Sequence, residues 1–177
     1  MGILRNLFGD TTSTNVLELL TAQHTEMDKL FEQLENEGGN RSALFTELAD
    51  TLAAHATVEE KIFYPAVMSK DTSDKLHEGV EEHLQIKRML ADLVTMKLDD
   101  ESFKAKLQVL KEANAHHAHK EEEGELFPVI RKVMTKDELA AIGNEVLVMF
   151  EELMRTHPSA NVPHETTKAA PLPPLGA

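Results

Sequence analysis

The chain has no cysteine and no tryptophan, a single tyrosine, and only eight glycines and seven prolines in 177 residues. Without cysteine there can be no disulfide, thiolate nucleophile, iron–sulfur cluster or cysteine-ligated zinc. Positive charge is scarce as well: 18 Lys and Arg stand against 31 Asp and Glu, a formal charge of −13. That balance excludes a broad basic face for nucleic acid or an anionic membrane, and it suits attraction of cations. No stretch approaches the roughly 18 apolar residues of a membrane span, and Met1 to Asp10 carries too short an apolar run for a signal peptide, so a cytoplasmic protein is expected. Strict apolar/polar alternation is also missing, while Ala, Leu, Glu and Lys are common, which points to an all-α fold.

What the sequence does have is a set of helical seams carrying residues that do not belong in them. Phe45, Leu48, Leu52, His55, Glu59, Ile62 and Ala66 recur at steps of three and four, so the stripe facing the core holds His and Glu where Leu is expected. Leu17, Leu20, His24, Met27, Phe31 and Leu34 keep the same rhythm around His24. Leu76, Gly79, His83, Ile86, Leu90 and Leu93 do so around His83. A fourth seam runs through Phe103, Leu107, Leu110, Asn114 and His117, then stumbles and resumes at Leu126, Val129 and Val133. Burying these groups unpaired is costly. A metal ion compensates both at once, taking up the carboxylate charge and the imidazole lone pair.

The periodicity predicts helix 1 over about 16–37, opened by Asn15 and stopped by Gly38-Gly39, and helix 2 over about 42–68. Helix 3 is expected over about 74–98, helix 4 over about 103–134, and a fifth helix behind the capping box Thr135/Glu138, with Leu139, Ile142, Val146, Met149 and Leu153 on its stripe. The bundle then occupies residues 1–157, with its core at 15–134 and the extra helix at 135–155. Five of the seven prolines lie between Pro158 and Pro174, so residues 158–177 are expected to be a disordered, polyproline-like tail. The first dozen residues could form a small amphipathic turn.

Spacing fixes the heights of the histidines. His24 lies 13 residues before Glu37, and His55 lies 13 after Ser42, so an antiparallel hairpin returns His55 to the level of His24. His83 and His117 are level-matched in the same way by 15 and 14 residues. Both hairpins go on to an aromatic-proline pair, Tyr64-Pro65 and Phe127-Pro128, as an internal duplication would. An antiparallel up-down-up-down four-helix bundle brings the four seams to one centre.

Helix 4 offers several pairs. The seam before the irregularity selects His117, and the seam after it, extrapolated back from Leu126, selects Glu122. Both Glu59 and Glu122 lie six residues before a proline. Their five-residue separation requires one π-type turn, a feature that favours functional sites. A regular helix would instead pair His119 with Glu123, or His117 with Glu121. His77, His116, His157 and His164 have no seam position and are expected at the surface. Asp28, four after His24, is expected as a helix-surface charge ahead of a ligand or an acceptor behind one, and Tyr64 as a packed aromatic beside Pro65 ahead of a hydrogen bond to a ligand or metal-bound oxygen.

His24, the run HATVEEKIFYP from His55, EEH ending at His83, and HHAHKEEEGELFP from His116 together resemble the hemerythrin-like, or HHE cation-binding, family of four-helix bundles. The match covers roughly Leu17 to Val133. The resemblance implies a non-haem di-iron centre, with His24, His55, Glu59 and His83 transferring directly as ligands. In that family the fourth-helix His and Glu are usually four apart with a proline six beyond the Glu. Here Ala118 holds the expected histidine position, and one inserted residue accounts for it. Oxygen-carrying members have a second helix-3 histidine four residues from the first, where this chain has Gly79 and Lys87.

Imidazole and carboxylate without thiolate favour iron, ahead of manganese or zinc. Glu59 and Glu122 would bridge two iron ions whose shells His24, His55, His83 and His117 complete in part. Open coordination positions would accept dioxygen, nitric oxide, peroxide or solvent. The expected function is thus a di-iron module that binds or senses a small ligand or handles iron. The alternatives are a di-iron enzyme acting on peroxide, for which no further acid/base pair stands out, and a bundle that metal merely stabilises.

Overall fold

A computed structural model describes residues 15–36 and 40–175, and all regular structure among them is helical. α1 spans Val16–Glu35, and Asn15 caps it by accepting from the Leu17 amide at 2.9 Å. α2 spans Arg41–Val58 and continues without a break through a π turn, Glu59–Phe63, into α3, Tyr64–Val67. Its cap is Asn40, which accepts from Ala43 N at 3.2 Å. α4 runs from Ser73–Thr95, and α5, Phe103–Ala115, passes through a long π segment, His116–Leu126, into α6, Phe127–Val133. α7, Lys136–Met154, starts at the expected Thr135/Glu138 capping box. The Gly38-Gly39 stop and the N-terminal dozen lie outside the described residues. No described helix is long and apolar enough to cross a membrane.

The four rods α1, α2–α3, α4 and α5–α6 pack as the expected antiparallel up-down-up-down bundle, with α7 laid across α1, α2 and the first π turn. Apolar side chains form two separate layers. One, at the α7 end, centres on Leu17, Leu20, Phe63, Tyr64, Leu76 and Phe127. The other, at the opposite end, centres on Met27, Phe31, Leu52, Ile86, Leu90 and Leu110. Between them, on every rod, lie the polar residues that interrupt the seams. The hydrophobic layers thus hold a slab of buried His and Glu from above and below.

The π turns re-register the seams. After Glu59 the expected stripe, Ile62 and Ala66, gives way to Phe63 and Val67, which are buried while Ile62 is half-buried and Ala66 exposed. After Glu122 the same slip buries Phe127 and Ile130 and leaves Val133 at the surface. One extra residue per widened turn rotates everything downstream by about 100°, which brings the bulkier side chains into the core.

The tail departs from its expected disorder. Pro158–Glu165 forms a 3-10 helix lying on α2 and α4, and Val162 is buried in the second apolar layer. Ala169, Ala170 and Leu172 continue along the bundle to pack on the first. His157 turns the chain into this strap with a left-handed backbone, φ 52°, and its Nδ1 is 2.8 Å from Asp50 Oδ2. Ser159 donates from N and Oγ to Asp50 Oδ1, at 3.1 and 2.6 Å. Pro158 suits the first position of the 3-10 helix, where an amide has no intrahelical partner, and Pro171, Pro173 and Pro174 suit the extended strap that follows; composition alone does not distinguish that use from disorder.

Candidate metal centre

Six buried side chains meet in the central slab: His24 from α1, His55 from α2, Glu59 at the first π turn, His83 from α4, and His117 and Glu122 from the second π segment. His24, His55, Glu59 and Glu122 form one group of potential metal donors, and Glu59, His83 and His117 a second. In the first group His24 Nε2 lies 3.2 Å from His55 Nε2 and 3.3 Å from Glu122 Oε2, and His55 Nε2 lies 3.3 Å from Glu59 Oε2. In the second His83 Nε2 is 2.9 Å from His117 Nε2 and 3.1 Å from Glu59 Oε2. Glu122 Oε1 stands 4.0 Å from His117 Nε2, so this carboxylate too faces both groups.

These separations fit cation ligation. With metal–ligand bonds of about 2.1 Å, neighbouring donors of an octahedron stand about 3.0 Å apart. The hydrogen bonding supplies the stronger test. Both oxygens of Glu59 and Oε2 of Glu122 are buried without a well-formed hydrogen bond, facing only the Nε2 atoms of the surrounding imidazoles, although buried polar groups are almost always satisfied. A carboxylate left so costs several kcal/mol. The donor set, two such carboxylates among imidazole nitrogens, is what a hard or borderline divalent cation compensates.

Each imidazole is turned to present Nε2 inward because its Nδ1 is held from behind. His55 Nδ1 lies 2.7 Å from Gln23 Oε1, His83 Nδ1 3.2 Å from Glu60 Oε1, His117 Nδ1 2.7 Å from Glu82 Oε2, and His24 Nδ1 2.6 Å from Glu123 Oε1. An oxygen can only accept, so Nδ1 carries a proton in each, and Nε2 is the atom left facing the centre, as a lone pair wherever the ring is neutral. The four contacts close a circle. Gln23 on the first rod serves the second rod's histidine, Glu60 the third's, Glu82 the fourth's, and Glu123 returns to the first. Every acceptor is the chain neighbour of a residue in the slab, turned about 100° around its helix and so aimed at the next rod.

The field inside the slab is strongly negative. Burial disfavours a charged imidazole, but Glu122 and Glu123 outweigh it and push His24 up to about 9. His117 is likewise pushed up against burial, to about 10, by Glu59 and Glu82. His55 goes the other way, to about 3, because burial dominates and the charge of His24 adds to it. Glu59 is held well below the usual carboxylate range, burial being outweighed by His55, His117 and His83, whereas burial and the charge of Glu59 push Glu122 up. Facing Nε2 atoms at 2.9 and 3.2 Å must share a positive charge between them, and a metal ion supplies it as readily as a proton does.

The six favoured candidates meet in the slab, and the two alternatives, His119 and Glu123, meet His24 in a third, partly exposed group of potential donors. His24, His55, Glu59, His83, His117 and Glu122 come together. His119 faces outward, its Nε2 2.9 Å from Asp28 Oδ2, and Glu123 lies behind His24 rather than in the slab. Glu121, the regular-helix partner of His117, turns to Lys75 and Lys120 at 2.6 and 2.7 Å. Asp28 is a helix-surface charge as expected, pairing with His119 outside the slab, whereas the Tyr64 hydroxyl, besides being packed and buried, takes the second role weighed for it and donates to Glu122 Oε1 at 2.9 Å. Sequence reasoning missed the acceptors Gln23, Glu60 and Glu82, each of which looks like a polar helix position, and weighed Glu123 as a ligand rather than as the acceptor behind one. Their adjacency to a seam His or Glu was the available signal.

Residues 15–130 match the model of the hemerythrin HHE cation-binding domain. A crystal structure of a hemerythrin HHE cation-binding domain-containing protein from Mycobacterium kansasii shares the fold, with a TM-score of 0.71 and 24% identity, covering 81% of this chain and 89% of that one. A curated protein of Nostoc sp. (strain PCC 7120) named DNA nickase is 25% identical over 131 residues. That stretch is 73% of this chain but 37% of the relative, so the chain spans little more than a third of that protein's length.

Proposed function

The chain belongs to the hemerythrin HHE cation-binding family, and from that premise we propose that it is a non-haem di-iron protein whose centre binds or senses a small ligand, dioxygen, nitric oxide or peroxide, or handles iron itself. The observation that carries this reading is the pair of donor groups sharing Glu59, with that carboxylate buried among imidazole nitrogens and without a well-formed hydrogen bond on either oxygen. One ion would be held by His24 and His55, the other by His83 and His117, with Glu59 and Glu122 between them. Bound iron would supply redox chemistry and exchangeable coordination positions, because four imidazoles and two carboxylates do not saturate two six-coordinate ions.

The chain's own residues govern what such a centre could do. The circle of acceptors fixes each imidazole's tautomer and angle before any metal arrives. The apolar layers exclude water from both faces of the slab. Tyr64 stacks on His83, ring centroids 5.5 Å apart at 12°, and its hydroxyl holds Glu122 at the edge of the site. Where oxygen carriers have a second helix-3 histidine, this chain has Gly79, whose missing side chain leaves room for Tyr64, and Lys87, which pairs with Glu60. This supports sensing or chemistry with a small ligand over reversible oxygen carriage.

The reading is tested by loading the protein anaerobically with ferrous iron and recording optical spectra on adding dioxygen, peroxide or nitric oxide separately. New charge-transfer bands with at least one of the three are expected. An iron-loaded protein whose spectrum none of them changes would have a saturated centre, and the structural alternative would replace this one.

A further inference from the structure

One member of the circle is held from outside the bundle. Glu60, which accepts from His83 Nδ1 through Oε1, receives Lys87 Nζ on Oε2 at 2.7 Å. Lys87 sits one helical turn after His83, and its side chain is only 8% exposed. Its ammonium meets a second carboxylate at 3.0 Å, that of Glu165 at the end of the C-terminal 3-10 helix. Gln23, Glu82 and Glu123 have no such link to the strap among the described contacts. The strap is pinned on both sides of this contact: Val162 is buried against α2 and α4, and Thr166 O accepts from Arg88 Nε at 2.9 Å. A continuous series of contacts thus joins the strap to the centre, Glu165 to Lys87 to Glu60 to His83.

A buried ammonium must be paired, and lysine's flexible stem is held only by what it pairs with. With the strap away, Lys87 would gain water and freedom, and Glu60 would lose its fixed anchor. The Nδ1–H of His83 would then lose the acceptor that orients it. A metal on Nε2 acts in the opposite direction, since it makes Nδ1–H more acidic and strengthens its bond to Glu60. We propose that Lys87 is a positioning residue for the metal centre and that Glu165 latches it, so that docking of the C-terminal strap and occupancy of the centre stabilise each other. This rests on the di-iron reading above. Because the coupling is a linkage, it works in both directions: metal protects the strap, and the strap retains metal.

The test uses the full chain, metal-free and iron-loaded. Hydrogen exchange over residues 158–166 is measured in both states, and iron release to an excess of chelator is timed for the wild type, Glu165→Ala, Lys87→Met and Lys87→Arg. Iron should slow exchange in the strap. Glu165→Ala, at a partly exposed position, should speed release about two- to fivefold, and Lys87→Met about tenfold. Lys87→Arg, which keeps a cation on Glu60, should release iron at nearly the wild-type rate, an outcome that simple loss of packing does not give. Lys111→Ala, which breaks a surface pair with Glu35, is the control and should change nothing. If the wild type binds iron but strap exchange ignores it and the Glu165→Ala release rate is unchanged, the latch is overturned and the di-iron reading stands. If the wild type takes up no metal, both fall together.

Discussion

A Cβ built on Gly79 would stand 2.8 Å from the Tyr64 hydroxyl, the group that donates a 2.9 Å hydrogen bond to Glu122 Oε1. Two rods therefore negotiate for one space: α4 gives up a side chain so that the phenol of α3 can reach the second π segment. The ring cannot easily retreat, since it is buried, stacked on His83 and packed at 5.9 Å from Phe63. The bare position in an exposed helix would cost about 1 kcal/mol relative to alanine; here it makes room for a contact on a proposed bridging carboxylate.

Gly79→Ala should accordingly destabilise the protein by about 1–3 kcal/mol, as overpacking does, despite alanine's better helix propensity. With Tyr64→Phe in the background the clash loses its oxygen, and the same substitution should become close to neutral. Denaturant melts of the two single variants and the double variant check this through the coupling energy. Additive effects would show that Gly79 and Tyr64 do not compete for space.

His117→Ala and Glu122→Ala should each empty the centre, while His119→Ala should retain iron, because His119 faces Asp28 outside the slab. Glu123→Ala should fall between them, weakening affinity roughly 10–100-fold as loss of a partner behind a ligand does. Metal content and a chelator competition separate the three classes. Loss of iron from His119→Ala, with His117→Ala unaffected, would place the site one turn later on a regular helix.

Much of this was legible from the sequence, for a physical reason: a packed seam tolerates His24 or Glu59 only if something compensates the burial, so the seams revealed the slab. The first part of the π segment in the fourth rod was legible too, because His117 and Glu122 are five apart while the apolar rhythm on either side demands four; its continuation past Glu122 to Leu126 was not. The π turn at Glu59 was not, since His55 and Glu59 are four apart and Ile62 and Ala66 continue an ordinary stripe. Only the larger volumes of Phe63 and Val67, one position on, hinted at the slip. Glu60 looked like a solvated charge because its partners, His83 and Lys87, come from a rod that periodicity cannot orient. The strap was illegible since its prolines read as disorder, while its anchor, Asp50, lies 107 positions before His157 in the chain. Glu59→Ala and Glu60→Ala are consequently both expected to weaken metal binding, the first abolishing it and the second lowering affinity by about tenfold.

Removing metal should lower the melting temperature. A ligand that binds only the native state adds about 2.7 kcal/mol when its free concentration is a hundredfold above Kd, and for a chain of this length that corresponds to roughly 5–10 °C. Thermal scans with iron and with chelator measure the difference, which should vanish in Glu59→Ala. A shift of equal size in that variant would mean that iron binds elsewhere.

Placement of Glu59 and Glu122 between two ions rather than around one is what the proposed function rests on. It is tested most directly by elemental analysis against quantitative amino-acid analysis of protein loaded with ferrous iron and freed of unbound metal. Two donor groups that share Glu59 predict about two iron ions per chain. A single tightly held ion per chain at saturation, or zinc alone after growth in iron-replete medium, would contradict it.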